Sequence, residues 1–99
     1  MVDDDFEWND EKAALNRRKH GVSFEDAVEA FDDAFAIATL DDPAGHGEER
    51  IVMIGTSGVG VLTIVYTERG ERVRIISARK ATRHEKERYH HHDRPARHH

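Results

Sequence analysis

The chain has 99 residues, of which 37% are hydrophobic and 35% charged, and it contains no cysteine. This length suits one domain with one modest core, and the apolar content is too high for a disordered chain. The lack of cysteine excludes disulfides and thiolate metal sites. No apolar segment resembles a signal peptide or approaches membrane-spanning length, so we expect a cytoplasmic protein without a membrane contact.

Charge is distributed unevenly along the chain. The formal net charge is −5, and residues 3–11 hold six acids and no base. Residues 69–89 hold eight bases against three acids, a net charge of +5 that leaves −10 for the rest. Such asymmetry can build one positive face for a nucleic acid, with the acidic N-terminus facing elsewhere, or a solvated surface of mixed sign.

The N-terminal region predicts a short strand followed by a helix. Phe6 and Trp8 alternate with acids, which indicates the strand. Asn9 or Asp10 can cap a helix, because a short side-chain oxygen accepts hydrogen bonds from the first turn. That helix has basic residues in its last turn, where cations suit the negative helix end, and Gly21 follows as a left-handed stop.

A second helix begins at Ser23 and ends near Asp32 and Asp33. Its apolar residues fall at i, i+3, i+4 and i+7 and form one face: Phe24, Ala27, Val28 and Phe31. Residues 34–40 then predict a strand, and residues 41–49, with one proline and two glycines, predict a loop.

The second half predicts a β-meander and a final helix. Three β-rich runs at 50–57, 61–68 and 72–78 are separated by hairpin-short turns. Thr82 predicts the start of the last helix, with Glu85 spaced as in a capping box. We therefore expect an α+β fold in the order β-α-α-β-β-β-β-α. It has a four-stranded antiparallel sheet, two N-terminal helices and one C-terminal helix, with the helices on one core face. Residues 1–90 form the predicted domain and 91–99 a flexible, His-rich tail.

Two patterns resemble a phosphate-binding loop and a metal site, but each has a simpler structural explanation. The segment IGTSGVGV, residues 54–61, lacks the Gly-Lys-Ser/Thr ending of a phosphate loop and lies between two strands, so it predicts a hairpin turn. The terminal histidines at 90–92, 98 and 99 could hold zinc or nickel, but a metal site needs ligands on rigid elements. We therefore expect neither a metal nor a cofactor.

His20 is a candidate for proton transfer. It follows Lys19 at a helix end, and imidazole can accept or donate a proton near neutral pH. The alternative is a capping role, in which the ring or its charge stabilises the last carbonyl groups of the helix.

The segment RVRIISARKATRHEKERY, residues 72–89, is the strongest candidate for binding an anion. Alternation in a strand puts Arg72, Arg74 and Ile76 on one face, and Val73, Ile75 and Ser77 on the core face. Arg79 can reach the same open side of the sheet as Arg72 and Arg74. A guanidinium group can donate two parallel hydrogen bonds to two phosphate oxygens. The alternative is an exposed strand that carries charge to prevent aggregation.

The segments KHGVSF and RIISAR, at this separation, resemble the BrnT family of bacterial and archaeal toxins. The similarity covers about residues 6–89, whereas the His-rich tail departs from the pattern. The shared marks are Trp8, Lys12, Asn16, Lys19, His20, Gly21, Ser23, Phe24, Ala27, Phe31, Gly47, Glu48, Arg50, Ile54, Gly55, Thr67, Arg69, Arg74, Ile75, Ile76, Ser77, Ala78, Arg79, Ala81, Glu85 and Tyr89.

The resemblance implies a RelE-like ribonuclease toxin of a type II toxin–antitoxin system, which cuts RNA and stops translation. It also implies a BrnA-type antitoxin as partner, in a complex of two toxins and two antitoxins. The antitoxin would mask the toxin and bind operator DNA. A non-catalytic partner that acts only as co-repressor remains the alternative.

A metal-independent mechanism assigns roles to the basic residues. Arg74 and Arg79 would hold the scissile phosphate, His20 would transfer a proton, and Glu85 or Tyr89 would assist. The full catalytic set is His20, Arg74, Arg79 and Glu85. The RNA-binding set is Lys19, Arg69, Arg72, Arg83 and Tyr89.

Overall fold

The computed structural model of the chain describes residues 1–41 and 49–92. The loop predicted at 41–49 lies outside the described residues apart from its two ends, as does the predicted tail beyond His92. The elements are β1 (Phe6–Glu7), α1 (Asp10–His20), α2 (Phe24–Ala30), β2 (Ile37–Leu40), β3 (Ile51–Ser57), β4 (Gly60–Arg69), β5 (Arg72–Lys80) and α3 (Arg83–His92). The predicted element order is confirmed.

The strands form one five-stranded sheet in the order β1-β5-β4-β3-β2. Strands β2 to β5 make the predicted antiparallel meander. The predicted four-stranded antiparallel sheet was nevertheless wrong, because β1 joins β5 in parallel and makes the sheet mixed. Phe6 and Glu7 pair with Val73 and Arg74, far along the chain. A strand of two residues is too short for its sequence to indicate which strand it pairs with.

Local side-chain chemistry sets the helix ends. Asn9 accepts a hydrogen bond from the Lys12 amide (2.9 Å) and caps α1. Gly21 ends that helix at φ 73°, a left-handed conformation that glycine adopts without a Cβ clash. Ser23 forms a capping box with Asp26 at the start of α2.

Helices α1 and α2 cover one face of the sheet. The largest buried side chains there include Phe24, Leu62 and Ile64. Phe31 packs edge-on against Phe6 and Tyr66, with ring centroids 5.1 and 5.0 Å apart, and so links α2 to the sheet. The predicted apolar face of the second helix is confirmed, since all four of its members belong to this core.

A β-bulge interrupts β5. Val65 pairs with Ser77 and Tyr66 pairs with Ile75, so Ile76 is an extra residue in the strand. The bulge shifts the alternation, and Ala78 rather than Ser77 enters the core beyond it. The prediction that Ser77 shares the core face was therefore wrong.

Helix α3 covers the opposite face of the sheet. It packs Tyr89 and the preceding Ala81 against Ile37 and Ile54, in a second apolar cluster. Ile54 alternates with Met53, which faces the first core, so the two clusters lie on opposite sides. The expectation that every helix lies on one face was wrong, because the sheet is apolar on both faces and needs cover on both. Within residues 1–41 and 49–92, no helix has the length and apolarity needed to cross a membrane.

Candidate functional site

A groove of about 680 Å³ lies between α1 and the bulged part of β5. Its lining residues are Lys12, Leu15, Asn16, Arg18, Lys19, His20, Ile76 and Ser77. Three of these carry a positive charge, one is a histidine, and none is acidic. A groove with this lining favours a negatively charged ligand.

Helical geometry explains why α1 lines the groove. Lys12, Leu15, Asn16 and Lys19 fall at i, i+3, i+4 and i+7, which places them on one side of the helix. His20 follows at the last helical position, before the left-handed Gly21 turns the chain away. The structure thus brings together two predicted site residues, Lys19 and His20.

Hydrogen bonds from the Asn16 side chain connect this helix to the edge of β5. The side-chain amide donates to the Ala78 carbonyl (2.7 Å) and accepts from the Ala78 amide (3.2 Å). The same side chain donates to the Val22 carbonyl (3.1 Å) and is only 8% exposed. Strand β1 pairs with β5 at Val73 and Arg74. Farther along β5, the Asn16 side chain takes the place of a neighbouring strand and pairs with the backbone of Ala78.

Arg79 and Glu85 form a two-pronged ion pair on the α3 side of the sheet. The guanidinium donates to both carboxylate oxygens, at 2.8 and 2.9 Å. Glu85 also accepts from the Thr63 hydroxyl (2.9 Å) and from the Thr82 amide (2.8 Å), which completes the predicted capping box of α3. Arg79 still exposes 39% of its side chain, so solvent or a ligand can reach it.

These contacts set the protonation states of the pair. The hydrogen bond from Arg79 is the main reason that the pKa of Glu85 falls to about 2. The same hydrogen bond raises the pKa of Arg79. Glu85 is therefore a fully charged carboxylate at neutral pH, which suits it to hold Arg79 rather than to transfer protons.

Arg79 is not among the residues that line the groove, and its guanidinium is held by Glu85 of α3. Ser77 lines the groove, and Arg79 follows two residues later on the same side of β5, about 7 Å along the strand. Arg74 lies five residues before Arg79, about 15 Å away by the same spacing. Its guanidinium donates to Glu7 of β1 (2.8 Å), and both side chains are partly buried.

The remaining predicted residues lie outside the groove. Arg69 and Arg72 face each other across the β4–β5 turn, and Arg72 donates to the Asp3 carbonyl (2.7 Å). Arg83 is almost fully exposed on α3, 3.7 Å from Glu87. Tyr89 is 6% exposed in the second core, where its hydroxyl donates to Asp33.

The chain matches the model of a known family over residues 8–85, described as "Ribonuclease toxin, BrnT, of type II toxin-antitoxin system". The chain belongs to the BrnT family. The resemblance read from the sequence is thereby confirmed, and a toxin of this kind has an antitoxin as its partner. No match to a curated protein accompanies the family match.

The family match includes the groove on α1, the bulge in β5 and the Arg79–Glu85 pair, and it ends before Tyr89. In the described part of this BrnT-family chain, no group of three or more histidine or acidic side chains could hold a metal ion. His98 and His99 lie outside that part.

Sequence reasoning gave a site role to Lys19 and His20 but to none of the six other lining residues of the groove. The missed residues are Lys12, Leu15, Asn16, Arg18, Ile76 and Ser77. The helical spacing of Lys12, Leu15, Asn16 and Lys19 was a signal that could have found the α1 side. Ile76 had been placed on the open face with Arg72 and Arg74, without a site role. Ser77 could not be found in this way, since its position depends on the bulge.

Proposed function

We propose that this chain cleaves RNA without a metal, through attack of a ribose 2′-hydroxyl on the adjacent phosphate. The new bond joins the 2′-oxygen to phosphorus, the bond to the 5′-oxygen breaks, and a 2′,3′-cyclic phosphate remains on one product. The observation that carries the proposal is a basic groove, with no acidic residue in its lining among the described residues, and a clamped arginine two residues along β5 from the lining Ser77. Fixed cations of this kind stabilise the extra negative charge of the transition state.

His20 and Arg79 have the central roles in this proposal. The imidazole of His20 takes the proton from the 2′-hydroxyl or gives one to the leaving 5′-oxygen, a contribution of about 10²–10⁴-fold. Arg79 binds the scissile phosphate, and Lys19 binds the neighbouring backbone. Glu85 orients the Arg79 guanidinium through their two hydrogen bonds. This positioning role replaces the direct catalytic role that was expected for Glu85.

The other predicted residues have outer roles. Arg74, tied to Glu7, and the exposed Arg69, Arg72 and Arg83 extend the basic surface along the RNA backbone. Tyr89 is left out of the RNA contacts, because its ring is packed in the interior.

The partner in this proposal is a BrnA-type antitoxin. Two toxins and two antitoxins form the complex, operator DNA is bound only through the antitoxin, and the toxin acts on translation in the cytoplasm. Addition of the antitoxin should abolish cleavage, and light scattering of the complex should give the mass of the two-plus-two assembly.

One observation favours a non-catalytic co-repressor as the second candidate. Both strand arginines, Arg74 and Arg79, are neutralised by carboxylates, as expected for structural ion pairs. A co-repressor would tighten operator binding by the antitoxin and would leave RNA intact.

The mechanism is tested by the chemistry of the products. The purified chain, in excess chelator, should cut naked RNA and leave 2′,3′-cyclic phosphate ends. A single 2′-deoxy substitution at the cut site should block that cut alone. Products with free 3′-hydroxyl ends, or cleavage that the deoxy substitution does not affect, would refute the proposed attack.

A further inference from the structure

Leu15 is an exposed apolar residue inside a basic groove. It is 58% exposed, although it lies in the middle of α1, and it belongs to neither buried cluster. A single exposed leucine is ordinary on a protein surface. Leu15 differs because it shares a groove with a second apolar side chain, Ile76.

Ile76, the extra residue of the bulge, also lines the groove. Its neighbour Ile75 is buried in the first core, whereas Ile76 is only partly buried and belongs to neither cluster. The result is an apolar wall, Leu15 and Ile76, that does not contribute to the folded core.

Cations flank this wall. Lys12 lies one turn before Leu15 and Lys19 one turn after it, so the lysines are seven residues, about 10 Å, apart along the helix. Within residues 1–41 and 49–92, no acidic side chain lines the groove. An apolar wall between positive charges is complementary to a nucleotide, whose base has an apolar face and whose phosphates are negative.

We propose that Leu15 and Ile76 hold one unpaired nucleobase of the RNA, while Lys12 and Lys19 bind the phosphates on either side. This inference rests on the proposed ribonuclease function and adds that the substrate is single-stranded at this position. A paired base stays stacked inside its duplex and does not reach the wall. The wall thus selects unpaired RNA.

The test measures equilibrium binding of a fluorescent 2′-O-methyl RNA, which cannot undergo 2′-hydroxyl attack. Leu15→Ala is compared with Leu40→Ala, a control at another exposed leucine (65%) on β2, at the other end of the sheet from β5. We expect Leu15→Ala to bind the unpaired strand about tenfold more weakly, and Leu40→Ala to bind it as the wild type does. The wild type should also bind the unpaired strand more tightly than the same sequence in a duplex.

RNAs with one abasic nucleotide identify the base. Moved along the strand, the abasic nucleotide should weaken wild-type binding most at one position. At that position it should cost the Leu15→Ala variant almost nothing further, since both changes remove the same contact. Full additivity of the two losses at every position would overturn the inference.

The other outcomes separate the two proposals. If the wild type binds RNA and Leu15→Ala binds it equally well, the base-binding wall is refuted and the ribonuclease proposal stands. If the wild type binds no RNA, both fail. If Leu15→Ala weakens only the complex with the antitoxin, the wall is a protein-docking surface and the inference is wrong.

Discussion

The Arg79–Glu85 ion pair restricts the conformation of the Arg79 side chain. Four hydrogen bonds reach the Glu85 carboxylate: two from Arg79, one from Thr63 and one from the Thr82 amide. An arginine held in this way loses little conformational freedom when it binds a phosphate. The pair therefore serves stability and the proposed reaction together.

This pair predicts a pH dependence of stability. The pKa of Glu85 is about 2 in the folded chain and about 4.5 ordinarily, so its contribution is complete above pH 4.5 and is lost as the pH falls towards 2. Glu85→Gln should lower the free energy of unfolding by about 1–3 kcal/mol at pH 7. Urea unfolding should show the gap to the wild type closing below pH 4.5.

Glu87→Gln is the matched control for this prediction. Glu87 lies on the same helix, and its contact with Arg83 is long (3.7 Å) and exposed. We expect its loss to change the free energy of unfolding by less than about 0.5 kcal/mol. An equal effect of both variants, or a gap for Glu85→Gln that stays constant down to pH 2.5, would contradict the assignment.

At the scale of elements, the site depends on how α1 meets β5. The side chain of Asn16 makes this connection through Ala78 and Val22. Ala78 directly precedes Arg79, and His20 lies one turn after Asn16. In the proposed mechanism, Asn16 is therefore a positioning residue for both.

Removal of this connection should weaken the fold. Asn16→Ala leaves two buried carbonyls and one amide without their partner, at a cost of about 1–3 kcal/mol in the free energy of unfolding. Arg17→Ala, an exposed neighbour outside the groove lining, should change it by less than about 0.5 kcal/mol. Equal urea midpoints for Asn16→Ala and the wild type would show that the three hydrogen bonds do not stabilise the chain.

The elements also show what sequence alone could predict. The caps at Asn9, Ser23 and Thr82 and the stop at Gly21 were predictable, because their partners lie within a few residues. The hairpins were predictable for the same reason. The order of elements along the chain followed from these local signals.

Features set by distant segments were not predictable in this way. The partner of β1 is about 67 residues away, and the bulge at Ile76 depends on the register with β4. One half of the groove, on α1, has a helical spacing that the sequence displays. On β5, Ser77 lines the groove because the bulge reverses the alternation that the sequence suggests beyond Ile76.

At the scale of the whole molecule, the charge pattern is more mixed than the sequence suggested. The acidic N-terminal region was expected to face away from the basic segment. Instead Glu7 pairs with Arg74, and Asp3 lies beside Arg72 at the start of β5. Lys12, Arg18 and Lys19 gather in the α1 groove, whose lining holds no acidic side chain among the described residues, while the exposed Arg83 adds positive charge on α3.

This concentration of charge predicts which lysine governs salt sensitivity. RNA binding should weaken as salt rises. Lysine and arginine side chains displace counterions from the RNA phosphates when they bind, and this release is less favourable at high salt. Lys19→Ala should reduce the slope of log affinity against log salt by about 0.7 for a single strand, whereas Arg17→Ala should leave it nearly unchanged. Fluorescence anisotropy over a salt series measures both slopes. Equal slopes for the two variants would place the RNA elsewhere on the surface.

The most direct test of the central claim is RNA cleavage by the antitoxin-free chain in excess chelator, with Arg79→Ala and Arg17→Ala measured in parallel. If Arg79 and the groove form the active site, the wild type and Arg17→Ala cut naked RNA at similar rates. Arg79→Ala should lose at least about 10²-fold in kcat while keeping its fold by circular dichroism. Undiminished cleavage by Arg79→Ala would contradict the account, and so would the absence of any cleavage by the wild type.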